Sequence, residues 1–243
     1  MNMNQAEESL LTRVRQARTS RKITISQAES VGVDLDGAYR IQATLGEKRE
    51  LKGYKFGLIS PAKQVQMGIN APIYGRIYSE MLLESPIRLS RFIQPRIEPE
   101  LAVVLRDDLP AQASPEDARL AVGSTVLGVD FLDSIWEGYH FSIAEVVADN
   151  ASGGGFLLGK QPLSWPMAGQ LSLYLNGELL TEGPVEALGD IGERLSWLSE
   201  QVGGLKAGYV IFLGSPAAAL PARPGRLELR GPQESALVAL VEE

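Results

Sequence analysis

The sequence contains no cysteine and a single histidine, His140. Without cysteine the chain can form no disulfide, thiolate nucleophile, cysteine-ligated zinc site or iron–sulfur cluster. One histidine excludes a histidine-rich metal site within one chain, and no GxSxG motif accompanies His140 as part of a serine-hydrolase triad. A reactive site must therefore be built mainly from carboxylates, lysine, arginine, hydroxyls and backbone groups. Such oxygen ligands suit hard divalent ions, Mg²⁺ or Mn²⁺.

Basic residues and long apolar runs are also scarce. The 30 acidic residues outnumber the 23 Lys and Arg and give a net charge of −7, which argues against non-specific nucleic-acid binding. An anionic substrate would need local positive charge or a bound cation. The longest apolar runs, LAVVL and ALVALV, are too short to span a membrane. The N-terminus, MNMNQAEESLLTRV, is unlike a signal peptide, so we expect a cytoplasmic protein.

Apolar spacing and capping residues predict the elements of secondary structure. Helices are predicted at residues 4–18, 35–46, 61–69 and 190–204, with another beginning at Ser114. Gly46 is expected to end the second helix as its C-terminal cap. Strands are predicted at 51–60, 97–106, 125–131 and within the last forty residues. Strands and helices do not alternate regularly, which favours an α+β fold over a doubly wound α/β fold.

Two glutamates precede an apolar run in the segment PRIEPELAVVL. Side chains at positions i and i+2 of a strand point to the same face, about 6.6 Å apart by strand rise alone. Glu98 and Glu100 would repel each other there unless a cation lay between them, and both side chains are long enough to reach one cation. The alternative is a solvated strand edge, where this spacing is common. Pro99, which lacks an N–H, fits either interpretation.

Other candidate residues are each open to a structural interpretation. Asp130 and Asp133 lie three positions apart in VDFLDSIW, on opposite faces of an ideal strand, so at most one should join a site. Lys55, in YKFG, is either a partly buried lysine with a shifted pKa or a surface residue. The loop 147–155, VADNASGGG, offers backbone N–H groups suited to a carboxylate, or is an ordinary turn. His140 is as consistent with a structural role as with catalysis.

Taken together, the ordered segments of this chain resemble a known family. It is the metal-dependent 2-hydroxypentadienoate hydratase and 4-oxalocrotonate decarboxylase group of aromatic meta-cleavage pathways, within the fumarylacetoacetate-hydrolase-like superfamily. The matching segments are LKGYKFGLIS, MGINAPIYGRI, FIQPRIEPELAVVL, VDFLDSIW, VVADNASGGGFLLG and LKAGYVIFLGSPAAALPARPG. The resemblance implies a mixed β-sandwich or β-roll, with an N-terminal helical segment at 1–50 and a catalytic β-roll at 51–243, integrated into one domain.

The resemblance also assigns roles to individual residues. It implies that Glu98, Glu100 and Asp130 bind Mg²⁺ or Mn²⁺, although the family usually has Glu at the third position. Lys55 matches the family's lysine, the acid/base or electrostatic catalyst. Substrate contact is expected from the residues that match or flank the family's motifs, namely Ser60, Ile73, Arg96, Asn150 and Ser152. Ile59 departs from the family's GLTS motif, which removes a hydroxyl and leaves Ser60 as the nearby polar group.

Ile73 favours one branch of this family over the other. Hydratases resemble one another in carrying PDYG or PDFG, whose aspartate helps to deliver water, whereas this chain has APIYG. The resemblance therefore implies decarboxylation of a 2-oxo-3-enedioate, a dianion held by the metal, Lys55 and Arg96. The first alternative is a 2-hydroxypenta-2,4-dienoate hydratase, and the second is a catalytically silent partner subunit. The family also implies a homo-oligomer and a complex between hydratase and decarboxylase.

Overall fold

The computed structural model describes residues 3–26 and 32–243. The helices within these residues are α1 (Gln5–Ser20), α2 (Leu35–Gly46), α3 (Pro61–Gln66), α4 (Pro115–Leu120), α5 (Ile143–Ala148) and α6 (Ile191–Val202). The strands are β1 (Leu51–Gly57), β2 (Ile73–Tyr78), β3 (Leu82–Leu83), β4 (Ile87–Arg88), β5 (Pro95–Leu105), β6 (Val122–Asp133), β7 (Gly153–Leu158), β8 (Gln170–Leu175), β9 (Glu178–Pro184), β10 (Val210–Phe212), β11 (Leu220–Pro221), β12 (Gly225–Arg230) and β13 (Ala236–Glu242). None of the helices in this described part is long and apolar enough to cross a membrane.

Two mixed sheets form the centre of the molecule. The larger has the order β2-β1-β10-β5-β6-β7-β3, with β11 paired to β5, and the smaller has the order β4-β13-β12-β8-β9. Apolar residues of both sheets share one hydrophobic core, with Leu101 and Phe131 from the larger sheet and Leu173 and Leu229 from the smaller. This arrangement confirms the predicted α+β fold with a sandwich-like sheet core. The long antiparallel pair β5–β6 carries the candidate site.

The two N-terminal helices pack against the back of the site. Asn4 and Glu7 form a capping box at the start of α1, and the Asp34 side chain caps α2. Their buried faces, including Leu10 and Ile41, join a cluster with Ile73, Trp136 and Val147, among other residues. The predicted N-terminal helical segment is therefore present, and its core is continuous with residues that follow it.

Most predicted helix boundaries are confirmed, but the role of Gly46 is wrong. Ser60 caps α3, Ser114 caps α4, and Gly203 ends α6 with φ of 77°. Gly46 is instead the last residue inside α2, and Glu47 takes the cap position. A Cβ on Gly46 would lie 1.7 Å from the Tyr78 hydroxyl oxygen. Close packing against Tyr78, rather than helix termination, requires glycine there.

Helix α5 was not predicted, although its sequence carries a capping signal. Ser142 accepts a hydrogen bond from the Glu145 N–H, and the Glu145 carboxylate accepts one from the Ser142 N–H. This capping box in SIAE is a recognisable helix start. The short helix leads into three consecutive residues with positive φ, Asn150 (56°), Ala151 (52°) and Ser152 (55°). The turn returns the chain to β7 beside the candidate site.

Candidate metal centre and active site

Three carboxylates converge between β5 and β6. Glu98 and Glu100 lie on the same face of β5, and the antiparallel register places Asp130 of β6 directly opposite Glu98. One oxygen from each carboxylate lies within 4.8 Å of the other two. Glu100 and Asp130 are fully buried, and Glu98 is partly buried. The solvated strand edge considered for Glu98 and Glu100 is therefore wrong.

Lys55 lies beside this cluster and forms a buried ion pair with Asp130. Its Nζ is 2.5 Å from Asp130 Oδ2 and donates a hydrogen bond to the Ala151 carbonyl at 3.2 Å. The Lys55 side chain is 2% exposed. Strands β10 and β5 separate β1 from β6 in the sheet order, so curvature of the sheet is needed to bring Lys55 to Asp130. The alternative of a surface lysine is thereby excluded.

Burial and mutual repulsion govern the charge states of these groups. Burial by itself lowers the pKa of Lys55, but Asp130, Glu100 and Glu98 outweigh it, so its pKa is raised and the ammonium stays charged. Burial, followed by repulsion from Asp130, raises the pKa of Glu100 well above its usual value. Burial also raises the pKa of Glu98 to about 7, although Lys55 opposes the shift. Without a cation, protonation of these carboxyl groups is therefore favoured, because one lysine does not compensate three buried negative charges.

The unsatisfied atoms of the cluster fit a divalent cation. Glu100 Oε2 accepts a hydrogen bond from the Gly214 N–H at 2.8 Å, whereas Glu100 Oε1 and Asp130 Oδ1 have no hydrogen-bond partner. Buried carboxylate oxygens without partners are costly. Three carboxylates within reach of one point form a donor set suited to Mg²⁺ or Mn²⁺. Glu98, Glu100 and Asp130 could hold such an ion and leave coordination positions for a substrate.

A cavity of about 660 Å³ opens onto this cluster. Its polar lining includes Lys55, Lys63, Arg96, Glu98 and Ser152. Its apolar lining is contributed by several elements and comprises Phe56, Leu58, Ile59, Met67, Ile73, Leu132, Phe141 and Val146. A mostly apolar pocket with a few charged groups at one end is typical of a small-molecule site.

Arg96 is held in the cavity by an aromatic contact. Its guanidinium carbon lies 4.2 Å from the centre of the Tyr139 ring, and the Tyr139 hydroxyl donates to the Gln94 carbonyl at 3.0 Å. Arg96 precedes Glu98 by two positions on β5, so both side chains point to the same face of the strand. Sequence reasoning did not identify Tyr139. His140 also lines the cavity, and its role stays open.

The remaining predicted substrate contacts divide into two groups. Ile73 and Ser152 line the cavity, and the buried Ser152 hydroxyl has no hydrogen-bond partner. Ser60 and Asn150 are outside the cavity lining. Ser60 caps α3 by accepting from the Lys63 N–H, while the Asn150 amide accepts from the Arg76 N–H and donates to the Arg76 carbonyl. Substrate contact by Ser60 and Asn150 stays a prediction that their positions do not support.

The loop at 147–155 acts differently from the expectation. It presents the Ala151 carbonyl to Lys55, whereas the expected role was to offer N–H groups to a carboxylate. Asp149, at its start, is paired with Arg18 of α1 at 2.6 Å, and Arg18 also contacts Asp133 at 3.0 Å. Asp133 thus belongs to this second network and Asp130 to the first, as the three-residue spacing predicted. Nothing local in the sequence links Arg18 to either aspartate.

Comparison with known proteins shows the family of this chain. Residues 61–236 match the family described as fumarylacetoacetate (FAA) hydrolase C-terminal. The 4-oxalocrotonate decarboxylase of a Pseudomonas species is 32% identical over 185 residues, 71% of each chain. The chain belongs to the fumarylacetoacetate hydrolase family. Within this family, the 2-keto-4-pentenoate hydratase of Paraburkholderia phymatum is also similar, at 31% identity over 227 residues and 86% of each chain.

A solved family structure extends the likeness to the whole fold. The 4-oxalocrotonate decarboxylase from Pseudomonas putida G7, complexed with magnesium and adipate, superposes with a TM-score of 0.85. The match covers 99% of this chain and 98% of that one, at 25% identity. A second structure of the same enzyme is complexed with calcium and acetate. The family relationship therefore supports an enzyme with a divalent metal, and the names of its relatives include both decarboxylases and hydratases.

Proposed function

We propose that this protein is a metal-dependent decarboxylase of a 2-oxo-3-enedioate of the 4-oxalocrotonate type. The observation that carries this choice is Ile73, which is 2% exposed and lines the cavity beside Gly57 and Ala151. A buried isoleucine offers no group that could position a water molecule for addition. This apolar wall suits a reaction in which the substrate loses carbon dioxide and water takes no part.

In this reaction the C5–C6 bond of the substrate breaks, and its electron pair moves through the conjugated system toward the 2-oxo oxygen. When bound at Glu98, Glu100 and Asp130, a divalent ion supplies Lewis-acid stabilisation of the negative charge that develops on that oxygen. The unpartnered Ser152 hydroxyl can donate a hydrogen bond to the substrate in the same cavity.

Lys55 is the residue best placed to handle charge and protons. Because Asp130 keeps its ammonium protonated, Lys55 places a positive charge beside the substrate and can return a proton to the product. Arg96, on the same face of β5 as Glu98, supplies a second positive charge for a dianionic substrate. Lys55 is thus assigned as the catalytic residue and Arg96 as a substrate-binding residue.

The second candidate is hydration of 2-hydroxypenta-2,4-dienoate. It is favoured by the similarity to 2-keto-4-pentenoate hydratases over 86% of the chain. That substrate carries one carboxylate, and its reaction needs a positioned water. The metal ligands and Lys55 suit either reaction, so the two candidates differ in the roles they give to Ile73 and Arg96.

The test is direct assay of both substrates with saturating Mg²⁺. We expect carbon dioxide release from 2-oxo-3-hexenedioate and little or no hydration of 2-hydroxypentadienoate. Lys55→Ala should lower the decarboxylation rate by roughly 10²–10⁴-fold, the range for loss of an acid–base group. If the wild type hydrated the dienoate faster than it released carbon dioxide from any of several oxo-enedioates, the hydratase would replace the decarboxylase as the assignment.

A further inference from the structure

Two cations in the cavity lack a carboxylate partner among the residues that the structure describes. Lys55 is paired with Asp130, but Lys63 and Arg96 line the same cavity without an ion pair. Lys52, an exposed lysine outside the cavity, is by contrast paired with Glu50 at 2.6 Å. Both positive charges of the cavity are thus left for a bound ligand, in a chain whose net charge is −7.

Lys63 and Arg96 both act on the Glu98 side of the cluster. Lys63 and Arg96 line the same cavity as Glu98, which is the carboxylate of the cluster that faces this cavity. Arg96 approaches along β5, and Lys63 approaches from α3. The two positive charges therefore border the part of the cavity that a substrate would occupy when it binds a metal ion held by the three carboxylates.

Once a divalent ion is bound, a doubly charged substrate is needed to neutralise the positive charges of Lys63 and Arg96. Three carboxylates, the Lys55 ammonium and a divalent ion sum to zero. A 2-oxo acid with one carboxylate would leave an uncompensated positive charge beside Lys63 and Arg96. A dianion would neutralise both, in a cavity whose apolar walls strengthen each charge–charge interaction.

The side chains of Arg96 and Lys63 differ in how firmly they are held by neighbouring residues. Arg96 is fixed against Tyr139 at 4.2 Å. Lys63 is exposed on a short helix, and no side-chain hydrogen bond holds its ammonium among the described residues. A lysine is a flexible point charge with a strongly hydrated head. It can approach a carboxylate at the mouth of the cavity and release it when that group leaves as neutral carbon dioxide.

We propose that Lys63 binds the second carboxylate of the substrate and makes the site selective for dianionic 2-oxo acids. This inference rests on the proposed function, because it places the 2-oxo acid head at the metal. It assigns to Lys63 a specificity role that nothing in the sequence indicated. Since the contact forms with the ground state and is lost as carbon dioxide departs, it should affect substrate affinity more than turnover.

The test uses two saturated ligands that share a 2-oxo acid head and cannot undergo the proposed reaction. 2-Oxoadipate carries a second carboxylate, and 2-oxohexanoate has a methyl group in its place. Calorimetry with Mg²⁺ should show that the wild type binds 2-oxoadipate more tightly. Lys63→Gln should weaken 2-oxoadipate binding about tenfold, the effect of losing one charge-assisted contact. The affinity of the Lys63→Gln variant for 2-oxohexanoate should stay within about twofold of the affinity of the wild type.

Matched variants separate the site from general electrostatics. Lys63→Arg should retain most of the preference for 2-oxoadipate, and Lys52→Gln, which removes an exposed lysine outside the cavity, should leave both affinities unchanged. Equal weakening of both ligands by Lys63→Gln, no weakening of either, or no wild-type preference would each overturn the proposal. In kinetics, Lys63→Gln should raise KM without lowering kcat, because the contact that it removes is made with the ground state.

Failure of this proposal and failure of the proposed function are distinguishable. If 2-oxo-3-hexenedioate is not decarboxylated but 2-oxoadipate binding depends on Lys63, the reaction assignment is wrong and the carboxylate subsite stands. If decarboxylation proceeds and Lys63→Gln binds both ligands as the wild type does, the function stands and the role of Lys63 is wrong.

Discussion

Replacing Lys55 by methionine tests whether the carboxylate cluster is a metal centre. Methionine keeps much of the side-chain volume and removes the ammonium that lies 2.5 Å from Asp130. Removing one partner of a buried ion pair costs about 3–5 kcal/mol, because it leaves the other charge buried and uncompensated. We expect a loss of this size in the free energy of unfolding of the metal-free protein, measured by urea denaturation with a chelator present.

A bound metal should recover much of that loss. A divalent ion supplies positive charge to the same carboxylates, so the variant should gain more stability from Mg²⁺ than the wild type does. Recovery of about 2–3 kcal/mol corresponds to metal binding about 30- to 140-fold tighter in the variant, since 1.4 kcal/mol is a factor of ten. The sequence alone suggested that removing Lys55 would leave metal affinity nearly intact, and the ion pair with Asp130 changes that expectation.

Lys52→Met is the matched control for this experiment. Lys52 lies on the same strand, and its ion pair with Glu50 is exposed, with side-chain exposures of 40% and 65%. An exposed pair contributes about 0–1 kcal/mol, so its loss should be small and independent of Mg²⁺. If Lys55→Met unfolded with the wild-type free energy, or lost the same stability with and without Mg²⁺, the argument that Lys55 and a metal share one set of carboxylates would fail.

Three other perturbations probe the metal ligands, the apolar wall and the second ion network. Glu100→Gln should weaken Mg²⁺ binding at least about tenfold by calorimetry, because affinity follows the charge of the ligand set; unchanged affinity, or metal density away from Glu100 in a soaked crystal, would contradict the site. Ile73→Asp should slow carbon dioxide release, because a new anion repels the departing carboxylate in a water-poor cavity; an undiminished rate would argue against the apolar-wall role. Burial raises the pKa of Asp149 to about 6, because its effect on this pKa is larger than the opposing effect of the Arg18 charge. The folded state therefore holds this proton more tightly than the unfolded chain, and stability from Asp149 should fall by up to about 3 kcal/mol as pH rises from about 4 to 6. Urea unfolding of Asp149→Asn should lack that slope, and an identical pH dependence in both proteins would refute it.

Local rules were sufficient where neighbouring residues decide the conformation. Capping by Ser60 and Ser114 was predictable because a cap involves residues within one helical turn. The same-face placement of Glu98 and Glu100 follows from the two-residue period of a strand, whatever the rest of the fold does. The helix α5 was missed even though its capping box was visible, so that error was one of interpretation.

The resemblance to a family extended the sequence argument beyond local rules. It named Asp130 and Lys55 as partners of the two glutamates, and the structure brings all four together. It also named Ser60 and Asn150, whose side chains are committed to a helix cap and to the backbone of Arg76. A motif shows which residues recur at a site, but not which of them face the cavity.

Tertiary structure alone decided which distant residues meet. The register of β5 against β6 sets Asp130 opposite Glu98, and the curvature of the sheet brings Lys55 from β1 to the same point. Arg18 reaches Asp133 and Asp149 only because α1 packs behind the turn that follows α5. Strand order, register and helix docking depend on how the whole core packs, so no short stretch of sequence determines them. The sequence by itself therefore determined the chemistry available to this protein, and its folded core determined the charge state and neighbours of each group.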